Sequence, residues 1–332
     1  MAQFSGWTPL HAKLNQTLRQ RQLLPKKKRV LIAVSGGQDS LCLSKLLADL
    51  QQKWQWQLSI AHCDHCWASD QGISTWVKEF SQTLNLAFYL KTATDSQETP
   101  LKETEAAARN WRYGALLEIA EEEDFPYVVT GHTKTDLGET LLYNLVRGSG
   151  TDGLQALCWG RPLSKNIQLV RPLLNISRQE TLQFCQQFQL PIWEDEVNQN
   201  LRYARNRIRQ ELIPYLKAHF NPQVETALAQ TAELLRGEVE YQEEMATNLY
   251  QEVVQVPRKI NRLKLKNIPL ALQRRIMRKF LQVYLPKDPN FEQIEALTNL
   301  IKAPNRSQTS SLPGGAIAKV QENEIILKFP NE

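Results

Sequence analysis

The stretch that decides the fold is VLIAVSGGQDSLCLSKL, residues 30–46. It opens with an apolar run rich in β-branched side chains, which is typical of a strand buried on both faces of a parallel sheet. Ser35-Gly36-Gly37 then ends the strand, and from Ser40 onward leucines recur at helical spacing. We therefore predict a strand, a glycine-rich turn and a helix whose amino end can bind phosphate through backbone N–H groups and the helix dipole.

The loop itself, Ser35-Gly36-Gly37-Gln38-Asp39-Ser40, differs from the common phosphate loop, because that loop requires a Gly-Lys dipeptide and the sequence contains none. Its two hydroxyl groups and its backbone donors can hold phosphate oxygens. Asp39 is an anion, so it approaches a phosphate only when a divalent cation lies between them, and we predict that it binds magnesium. An ordinary glycine-rich turn in an α/β sheet is the alternative interpretation.

The composition favours a soluble globular protein of two or three domains, because the 332 residues are 42% hydrophobic and 23% charged. No apolar run approaches the roughly 18 residues that a membrane span requires. The amino terminus lacks the apolar segment of a secretory signal, and five cysteines in a long chain favour free thiols in a reducing compartment. We therefore predict a cytoplasmic protein.

The formal net charge of +5 is unevenly distributed along the chain. Residues 1–38 contain no acidic residue, and residues 253–287 contain ten Lys or Arg and no acidic residue. Basic segments of this kind indicate a polyanionic partner. The segment from Arg258 to Arg278 is our candidate surface for it.

Strands and helices alternate through the first part of the chain. An amphipathic helix around Leu14 leads into strands predicted at residues 30–34, 58–62, 86–90, 127–130 and 168–170, with helices at about residues 40–52, 103–122 and 134–146. This order predicts the α/β fold class, a doubly wound parallel sheet whose ligand lies at the carboxyl ends of the strands. Ser35, His62 and His132 all fall at such ends.

Asn221-Pro222 marks the predicted boundary between two domains, residues 1–220 and 221–332. Helices at about residues 178–189 and 201–220 complete the first. The second is smaller and mostly helical, with helices at about residues 223–250, 270–284 and 291–301 and a closing hairpin of residues 316–320 and 324–329.

Residues 130–140, TGHTKTDLGET, place His132 at a strand end and two carboxylates, Asp136 and Glu139, on one face of the helix that follows. Paired carboxylates beside a phosphate site can coordinate magnesium or hold the ammonium group of an amine substrate. A solvated helix start is the alternative, since acidic residues favour a first turn in any case.

Two arginine-rich segments are candidates for binding phosphate groups or nucleic acid. Residues 105–113, EAAARNWRY, put Arg109 and Arg112 one turn apart, where they can bind phosphate groups or nucleic acid, unless Arg109 only pairs with Glu105. Residues 202–209, RYARNRIR, hold four arginines around one tyrosine, which suits a nucleic-acid backbone, although a solvated face would look similar.

Two further patterns resemble known sites and need to be separated from them. Residues 147–154, RGSGTDGL, match G-x-G-x-x-G but follow a helix, which excludes a dinucleotide site and leaves a loop beginning at Arg147 that can close on a substrate. Residues 62–66, HCDHC, include C-x-x-C, yet structural zinc needs a second ligand pair. Whether Cys63 and Cys66 bind a metal stays open, and we expect His62 to lie at a strand end beside the phosphate site.

Taken together, these segments resemble the tRNA(Ile)-lysidine synthetase family of the PP-loop ATP pyrophosphatase superfamily. The resemblance rests on SGGQDS, EAAARNWRY, GHTKTDLGET, RGSGTDGL, RPLL at residues 171–174 and NLRYARNRIRQELIP, in this order across residues 30–214. It implies a PP-loop ATP-binding catalytic domain, residues 1–220, and a small helical tRNA-binding domain, residues 221–332.

The resemblance implies a ligase that uses ATP and Mg2+ to adenylate O2 of the wobble cytidine in the CAU anticodon of tRNA(Ile). The ε-amine of L-lysine then attacks C2, AMP leaves and lysidine is formed. A homodimer is a further expectation.

The implied roles fall on residues already singled out. ATP binding falls on Ser35, Gly36, Gly37, Gln38, Asp39, Ser40 and His62, with Asp39 on the metal. Catalysis falls on Asp39, Asp136, Glu139, Arg109, Arg112 and His132. RNA binding falls on Arg147, Arg202, Arg205, Arg207 and Arg209.

The chain departs from the family pattern after the second-strand histidines, where Ala68 stands in place of a usual arginine, so a phosphate or tRNA contact made there is in doubt. A PP-loop tRNA thiolase is the nearest rival, because Cys63 and Cys66 could deliver sulfur. A non-catalytic ATP-sensing RNA-binding protein is the second rival, and the carboxylates Asp39, Asp136 and Glu139 argue against it.

Overall fold

The computed structural model describes residues 6–67, 71–93, 104–193 and 201–330, without the side chains of residues 105 and 106. The chain divides into two compact units, Met1–Leu235 and Arg236–Glu332. The functional boundary predicted at Asn221-Pro222 stays a prediction. Within the described residues, no helix combines the length and the apolar character that crossing a membrane would require.

The first unit is built on a six-stranded sheet of order β3-β2-β1-β4-β6-β5. All neighbours are parallel except β5, which runs antiparallel to β6, so the predicted doubly wound parallel sheet is confirmed. Sequence patterns missed β5, because it is a short edge strand that contains Gly and Pro. The strands are β1 (Arg29–Ala33), β2 (Gln57–Asp64), β3 (Ala87–Thr92), β4 (Tyr127–Thr130), β5 (Gly160–Pro162) and β6 (Gln168–Val170).

The helices of this unit follow the predicted order, except that two helices are additions and one predicted helix is interrupted. They are α1 (Pro9–Gln20), α2 (Gln38–Trp54), α3 (Ile73–Thr83), α4 (Glu105–Glu122), α5 (Lys134–Val146), α6 (Thr151–Leu154), α7 (Arg178–Gln187), α8 (Ala204–Arg207) and α9 (Ile213–His219). Helix α3 was not predicted, and α6 lies in the segment predicted to be a loop. The helix predicted over 201–220 is interrupted by a π-helical turn, Ile208–Leu212, which directly precedes the turn that contains Pro214. Proline lacks the N–H that an α-helical hydrogen bond needs, and a π turn absorbs that defect.

Strand β1 is the centre of the core, because its side chains alternate between two apolar layers. Val30 and Ile32 belong to the layer that contains the leucines of α2, and Leu31 belongs to the layer of α4 with Leu116. Val30, Leu31 and Ile32 are all fully buried. The strand is therefore covered on both faces, as its uninterrupted apolar sequence predicts.

The second unit combines helices with a three-stranded antiparallel sheet of order β7-β9-β8. The predicted hairpin is confirmed as β8 and β9, and β7 adds a third strand. Its elements are the second half of α10 (Val224–Val253), β7 (Lys259–Asn261), α11 (Arg262–Leu265), α12 (Leu270–Tyr284), α13 (Phe291–Asn299), β8 (Ile317–Gln321) and β9 (Glu324–Lys328). Part of the basic charge of α12 is neutralised locally, because Arg274 pairs with Glu295 and Arg275 with Glu243.

Gly131, directly after β4, permits the closest approach between two parts of the sheet edge. A Cβ at this position would lie 2.9 Å from the backbone carbonyl carbon and oxygen of Asp39 and 3.0 Å from the Ser40 nitrogen. These are backbone atoms of the first turn of α2, so they cannot rotate away as a flexible side chain would. The end of β4 and the start of α2 therefore touch only because residue 131 has no side chain.

We expect Gly131→Ala to lower the free energy of unfolding by about 1–3 kcal/mol, because the added methyl group must displace backbone. Gly114→Ala is the matched control, since a Cβ at Gly114, inside α4, meets no atom within 4 Å. We expect this control to stabilise the protein by about 0.5–1 kcal/mol, because alanine favours the helix. Thermal unfolding of both variants checks this, and equal midpoints would contradict the steric argument.

Candidate active site

A cavity of about 340 Å³ lies at the carboxyl ends of β1, β2 and β4. The sheet topology brings Ser35, His62 and His132 together there, as predicted. Of the predicted site residues, those that line the cavity are Ser35, Gly37, Gln38, Asp39, Ser40, His62, Arg112, His132, Asp136 and Arg209. The predicted site residues outside its lining are Gly36, Arg109, Glu139, Arg147, Arg202, Arg205 and Arg207.

The loop between β1 and α2 forms the floor of the cavity. Gly36 adopts φ +86°, a left-handed conformation, and a Cβ there would lie 3.1 Å from Ile73 and 3.2 Å from Trp193. The Ser40 hydroxyl accepts from the Ser35 N–H at 3.3 Å and donates to the Gly37 carbonyl at 2.8 Å, which closes the turn. Gly37 is the N-cap residue and has no side chain to cap α2, so the amino end of that helix faces the cavity as a phosphate site would.

Asp39 lies in this first turn, where its carboxylate is largely buried and has both acidic and basic neighbours. Its carboxylate accepts a hydrogen bond from the Thr181 hydroxyl and lies 3.6 Å from the Arg178 guanidinium. Burial, together with the nearby charge of Asp136, nevertheless raises the pKa of Asp39 from 3.8 to about 6. No sequence pattern singled out Arg178 and Thr181, which follow the cap residue of α7 and reach Asp39 only through the fold.

The carboxylates of Asp136 and Glu139 both bind Arg209. Glu139 makes a two-pronged contact, Oε1 to Nε at 2.6 Å and Oε2 to Nη2 at 2.9 Å, and Asp136 Oδ1 lies 3.3 Å from Nη2. Glu139 is only 1% exposed, so this acid is not part of a solvated helix start. Asp136 also caps α5, because its Oδ2 accepts from the N–H and the hydroxyl of Thr133.

The two carboxylates differ in their electrostatics. Burial opposes ionisation of Asp136, but the positive charge that His132 carries in acid, the charge of Arg209 and the Thr133 hydrogen bonds outweigh it and lower the pKa of Asp136. Burial dominates at Glu139 and raises its pKa despite the bond from Arg209. Asp136 therefore faces the cavity as the firmly ionised member of the pair. Arg209, which the sequence predicted as an RNA ligand, is already engaged by both acids.

The two histidines of the cavity have different surroundings. His62 Nδ1 lies 2.8 Å from the Val34 carbonyl, so this nitrogen carries the proton and fixes the end of β1 to β2. His132 Nδ1 lies 2.8 Å from the Thr130 hydroxyl. Burial and the nearby arginines lower the pKa of His132, although Asp136 acts in the opposite direction. His132 is therefore a neutral imidazole at neutral pH.

The cysteines show no sign of a disulfide or a metal centre in the described part of the chain. All five are free, and no group of three or more His, Cys, Asp or Glu among the described residues is placed to hold a metal ion. Cys63 lines the cavity, and burial raises its pKa to about 12. Cys66 is exposed.

The remaining predicted residues make local contacts. Arg205 donates to the Thr140 hydroxyl at 3.0 Å, Arg207 to the Leu201 carbonyl at 2.9 Å and Arg147 to the Tyr143 hydroxyl at 2.8 Å. Their roles, like that of the loop at 147–154, stay predictions. Ala68 and the side chain of Glu105 lie outside the described residues, so the departure at position 68 and the proposed Glu105–Arg109 pair are not addressed by the structure.

Comparisons with known proteins agree with this geometry. Residues 8–216 match the model of the PP-loop domain. The tRNA(Ile)-lysidine synthase of Nostoc sp. (strain PCC 7120) is 57% identical over 97% of both chains, and that of Synechocystis sp. (strain PCC 6803) is 56% identical over 95% of this chain and 96% of its own. This chain belongs to the tRNA(Ile)-lysidine synthase family. A chloroplastic member from Zygnema circumcarinatum is 35% identical over 85% of this chain and 77% of its own.

The family assignment places the whole cavity inside the PP-loop domain, since every lining residue lies between positions 8 and 216. Among solved structures, the U34-tRNA thiolase NcsA from Methanococcus maripaludis, with its [4Fe-4S] cluster, has a TM-score of 0.57 and 21% identity. The alignment covers 68% of this chain and 77% of that one. At this identity the likeness shows a shared fold and nothing about the reaction.

The raised pKa of Asp39 predicts that its charge destabilises the protein when neither ATP nor a divalent cation is present. Because the folded-state pKa lies above the ordinary 3.8, the penalty is absent below about pH 4 and complete above about pH 6. At pH 7.5 we expect Asp39→Asn to unfold at a higher temperature than the parent. The free energy of unfolding should increase by up to about 3 kcal/mol. The difference should vanish near pH 4. A variant that is less stable than the parent at both pH values would contradict this.

Proposed function

We propose that this protein attaches L-lysine to C2 of the wobble cytidine in the CAU anticodon of tRNA(Ile), with cleavage of ATP to AMP and pyrophosphate. The observation that carries the proposal is the single cavity that holds both the SGGQDS loop and the ionised Asp136. The chain is 57% identical, over nearly its full length, to a protein named tRNA(Ile)-lysidine synthase.

ATP binding is proposed for residues 35–40, whose hydroxyls and backbone donors line the cavity floor. The site suits Mg2+, because the Asp39 carboxylate offers oxygen ligands, and burial followed by the nearby charge of Asp136 raises the pKa of Asp39, so a cation beside it is favoured. We propose that Asp39 holds the ion together with phosphate oxygens. When bound, magnesium neutralises phosphate charge.

The reaction proceeds in two displacements. O2 of the cytidine attacks the α-phosphorus of ATP and pyrophosphate leaves, and then the lysine ε-amine attacks C2 and AMP leaves with O2. Both nucleophiles come from the substrates, so the protein needs no catalytic serine or cysteine. Arg112, in the cavity wall, is placed to offset the phosphate charge.

Asp136 and Glu139 take different parts in this proposal. Asp136 lines the cavity, is ionised and accepts the lysine ammonium. Glu139 is buried and positions Arg209, which in turn holds Asp136. His132 orients substrate by hydrogen bonding, since its lowered pKa makes it a poor base for an ammonium group.

Recognition of the rest of the tRNA is proposed for Arg147, Arg202, Arg205 and Arg207 and for the basic segment from Arg258 to Arg278 in the smaller domain, 221–332. Cytoplasmic location and a homodimer remain our predictions. The rival thiolase reaction is disfavoured at Cys63, because a thiol with a pKa of about 12 is protonated at neutral pH and cannot carry sulfur as a nucleophile.

The decisive experiment incubates the protein with CAU-anticodon tRNA(Ile), ATP, Mg2+ and radiolabelled lysine. We expect label in the tRNA, released as a modified cytidine, and none in CAU-anticodon tRNA(Met). A double variant, Cys63→Ser with Cys66→Ser, should keep most of this activity. ATP cleavage without lysine transfer, but with sulfur transfer that the double variant lacks, would assign the chain to the thiolases instead.

Asp136→Asn tests the lysine site, because asparagine keeps the oxygen that caps α5 but removes the negative charge. We expect the KM for lysine to rise at least tenfold, as for the loss of a charged hydrogen bond of about 1.5–3 kcal/mol, and the KM for ATP to change less than twofold. Steady-state kinetics with each substrate varied in turn measures both. A rise in the KM for ATP, with an unchanged KM for lysine, would instead assign Asp136 to the nucleotide site.

A further inference from the structure

Four arginines surround Tyr113 at the rim of the cavity, and we call them the Tyr113 arginine cluster: Arg109, Arg112, Arg161 and Arg171. The guanidinium carbons of Arg161 and Arg109 lie 5.0 Å and 5.6 Å from the centre of the tyrosine ring. Arg171 Nη2 lies 3.5 Å from the tyrosine hydroxyl. Arg112 and Tyr113 also line the cavity, so the cluster opens into it.

Arg171 is the unusual member, because its side chain is only 2% exposed. Its Nη1 donates to the Cys158 carbonyl at 2.8 Å, while Nε has no hydrogen-bond partner among the described residues. A buried guanidinium without a carboxylate partner is costly, because its charge has lost water and gained no opposite charge. Such a group is retained where an anion completes the site.

The neighbours of Arg171 increase this excess of positive charge. Within the described residues, none of the four arginines makes an ion pair with a carboxylate. Burial, followed by neighbouring arginines that include Arg171, lowers the pKa of Arg109. Burial alone would raise the pKa of Tyr113, but Arg171, Arg109 and Arg112 outweigh it and lower that pKa. These groups prefer an anion beside them.

Two members of the cluster lie on a different part of the sheet edge from the phosphate loop. Arg161 belongs to β5 and Arg171 directly follows β6, whereas the loop follows β1. Strand β4 separates β1 from β6, so β1 and β6 are about 10 Å apart at a strand spacing of about 4.8 Å. ATP phosphates seated on the loop, with Arg112 beside them, therefore leave Arg161 and Arg171 available to a second anion.

We propose that the Tyr113 arginine cluster binds a phosphate group of the RNA backbone next to the wobble cytidine and so presents that nucleotide to the cavity. The proposal rests on the proposed function, which supplies the RNA. Guanidinium groups match phosphate oxygens in pairs, and the ring of Tyr113 holds two of the guanidinium groups in place. Arg161 and Arg171, which sequence patterns did not single out, thereby become RNA ligands.

Arg161→Gln is the main test, because Arg161 is only half-buried and its hydrogen bond, to the Pro162 carbonyl, is at the surface. Arg29→Gln is the matched control, since Arg29 also lies over an aromatic ring, that of Phe125 at 4.5 Å, but at the amino end of β1. Arg171→Gln is a poor test, because it also removes a donor from a buried carbonyl.

The measurement is equilibrium binding of full-length tRNA(Ile) at several salt concentrations. We expect Arg161→Gln to weaken binding about tenfold and to reduce the slope of log K against log salt by about one, as for one lost phosphate contact. The affinity for ATP and the behaviour of Arg29→Gln should match the parent. An unchanged RNA affinity and slope for Arg161→Gln would overturn the proposal.

A second arm separates a direct contact from a structural effect and from pyrophosphate as the occupant. Two tRNAs are made, each with one neutral methylphosphonate linkage, placed 5′ or 3′ of the wobble cytidine. We expect the parent to bind at least one of them more weakly than the unmodified tRNA. For that tRNA, Arg161→Gln should cause no further loss of affinity. If Arg161→Gln instead binds RNA normally but lets pyrophosphate compete less well with ATP, the cluster holds the leaving group and our assignment is wrong. Lysine transfer by the parent, measured separately, tests the proposed function alone.

Discussion

The site depends on the contact between the end of β4 and the first turn of α2. Gly131 allows the two backbones to approach so closely that a Cβ at position 131 would collide with the backbone of Asp39. This contact places Asp39, from the phosphate loop, in the same cavity as Asp136, from the helix that follows β4. A phosphate-binding loop and an acidic helix thereby become one site.

The same contact creates the electrostatic character of the cavity. Three carboxylates, Asp39, Asp136 and Glu139, are gathered where burial disfavours charge, and Arg178 and Arg209 compensate them only in part. The Tyr113 arginine cluster has the opposite excess, and two of its members, Arg161 and Arg171, lie across β4 from the phosphate loop. A cavity that is acidic at one end and basic at the other suits substrates that carry both an ammonium group and phosphates.

The shared fold of this chain and the thiolase NcsA shows why architecture alone does not fix the reaction. Parallel strands bring loops together at their carboxyl ends, and the side chains on those loops decide the chemistry of the site. Here the rim offers an ionised Asp136 and a neutral His132, while Cys63 is buried as a protonated thiol. These features favour an amine nucleophile that comes from the substrate.

Sequence alone determined the α/β fold class, the phosphate loop and most elements, because an uninterrupted apolar strand followed by SGG and a leucine-rich helix has few other solutions. Strands β4 and β6 and helix α5 lie at their predicted bounds. It missed the short elements α6, β5, β7 and α11 as well as α3, and it joined α8 and α9 across a π turn that depends on the local effect of Pro214.

Only the tertiary structure decided which charges meet. Arg209 lies 70 residues from Glu139 in the sequence, and Thr181 lies 142 residues from Asp39. Arg171 appeared in the sequence only as the first letter of RPLL, yet it is a buried cation without a carboxylate partner in the described structure. Burial and the distances between charges set the pKa values and the partners of these groups. Local sequence patterns do not predict them, because they arise only when segments that are distant in sequence become neighbours in the fold.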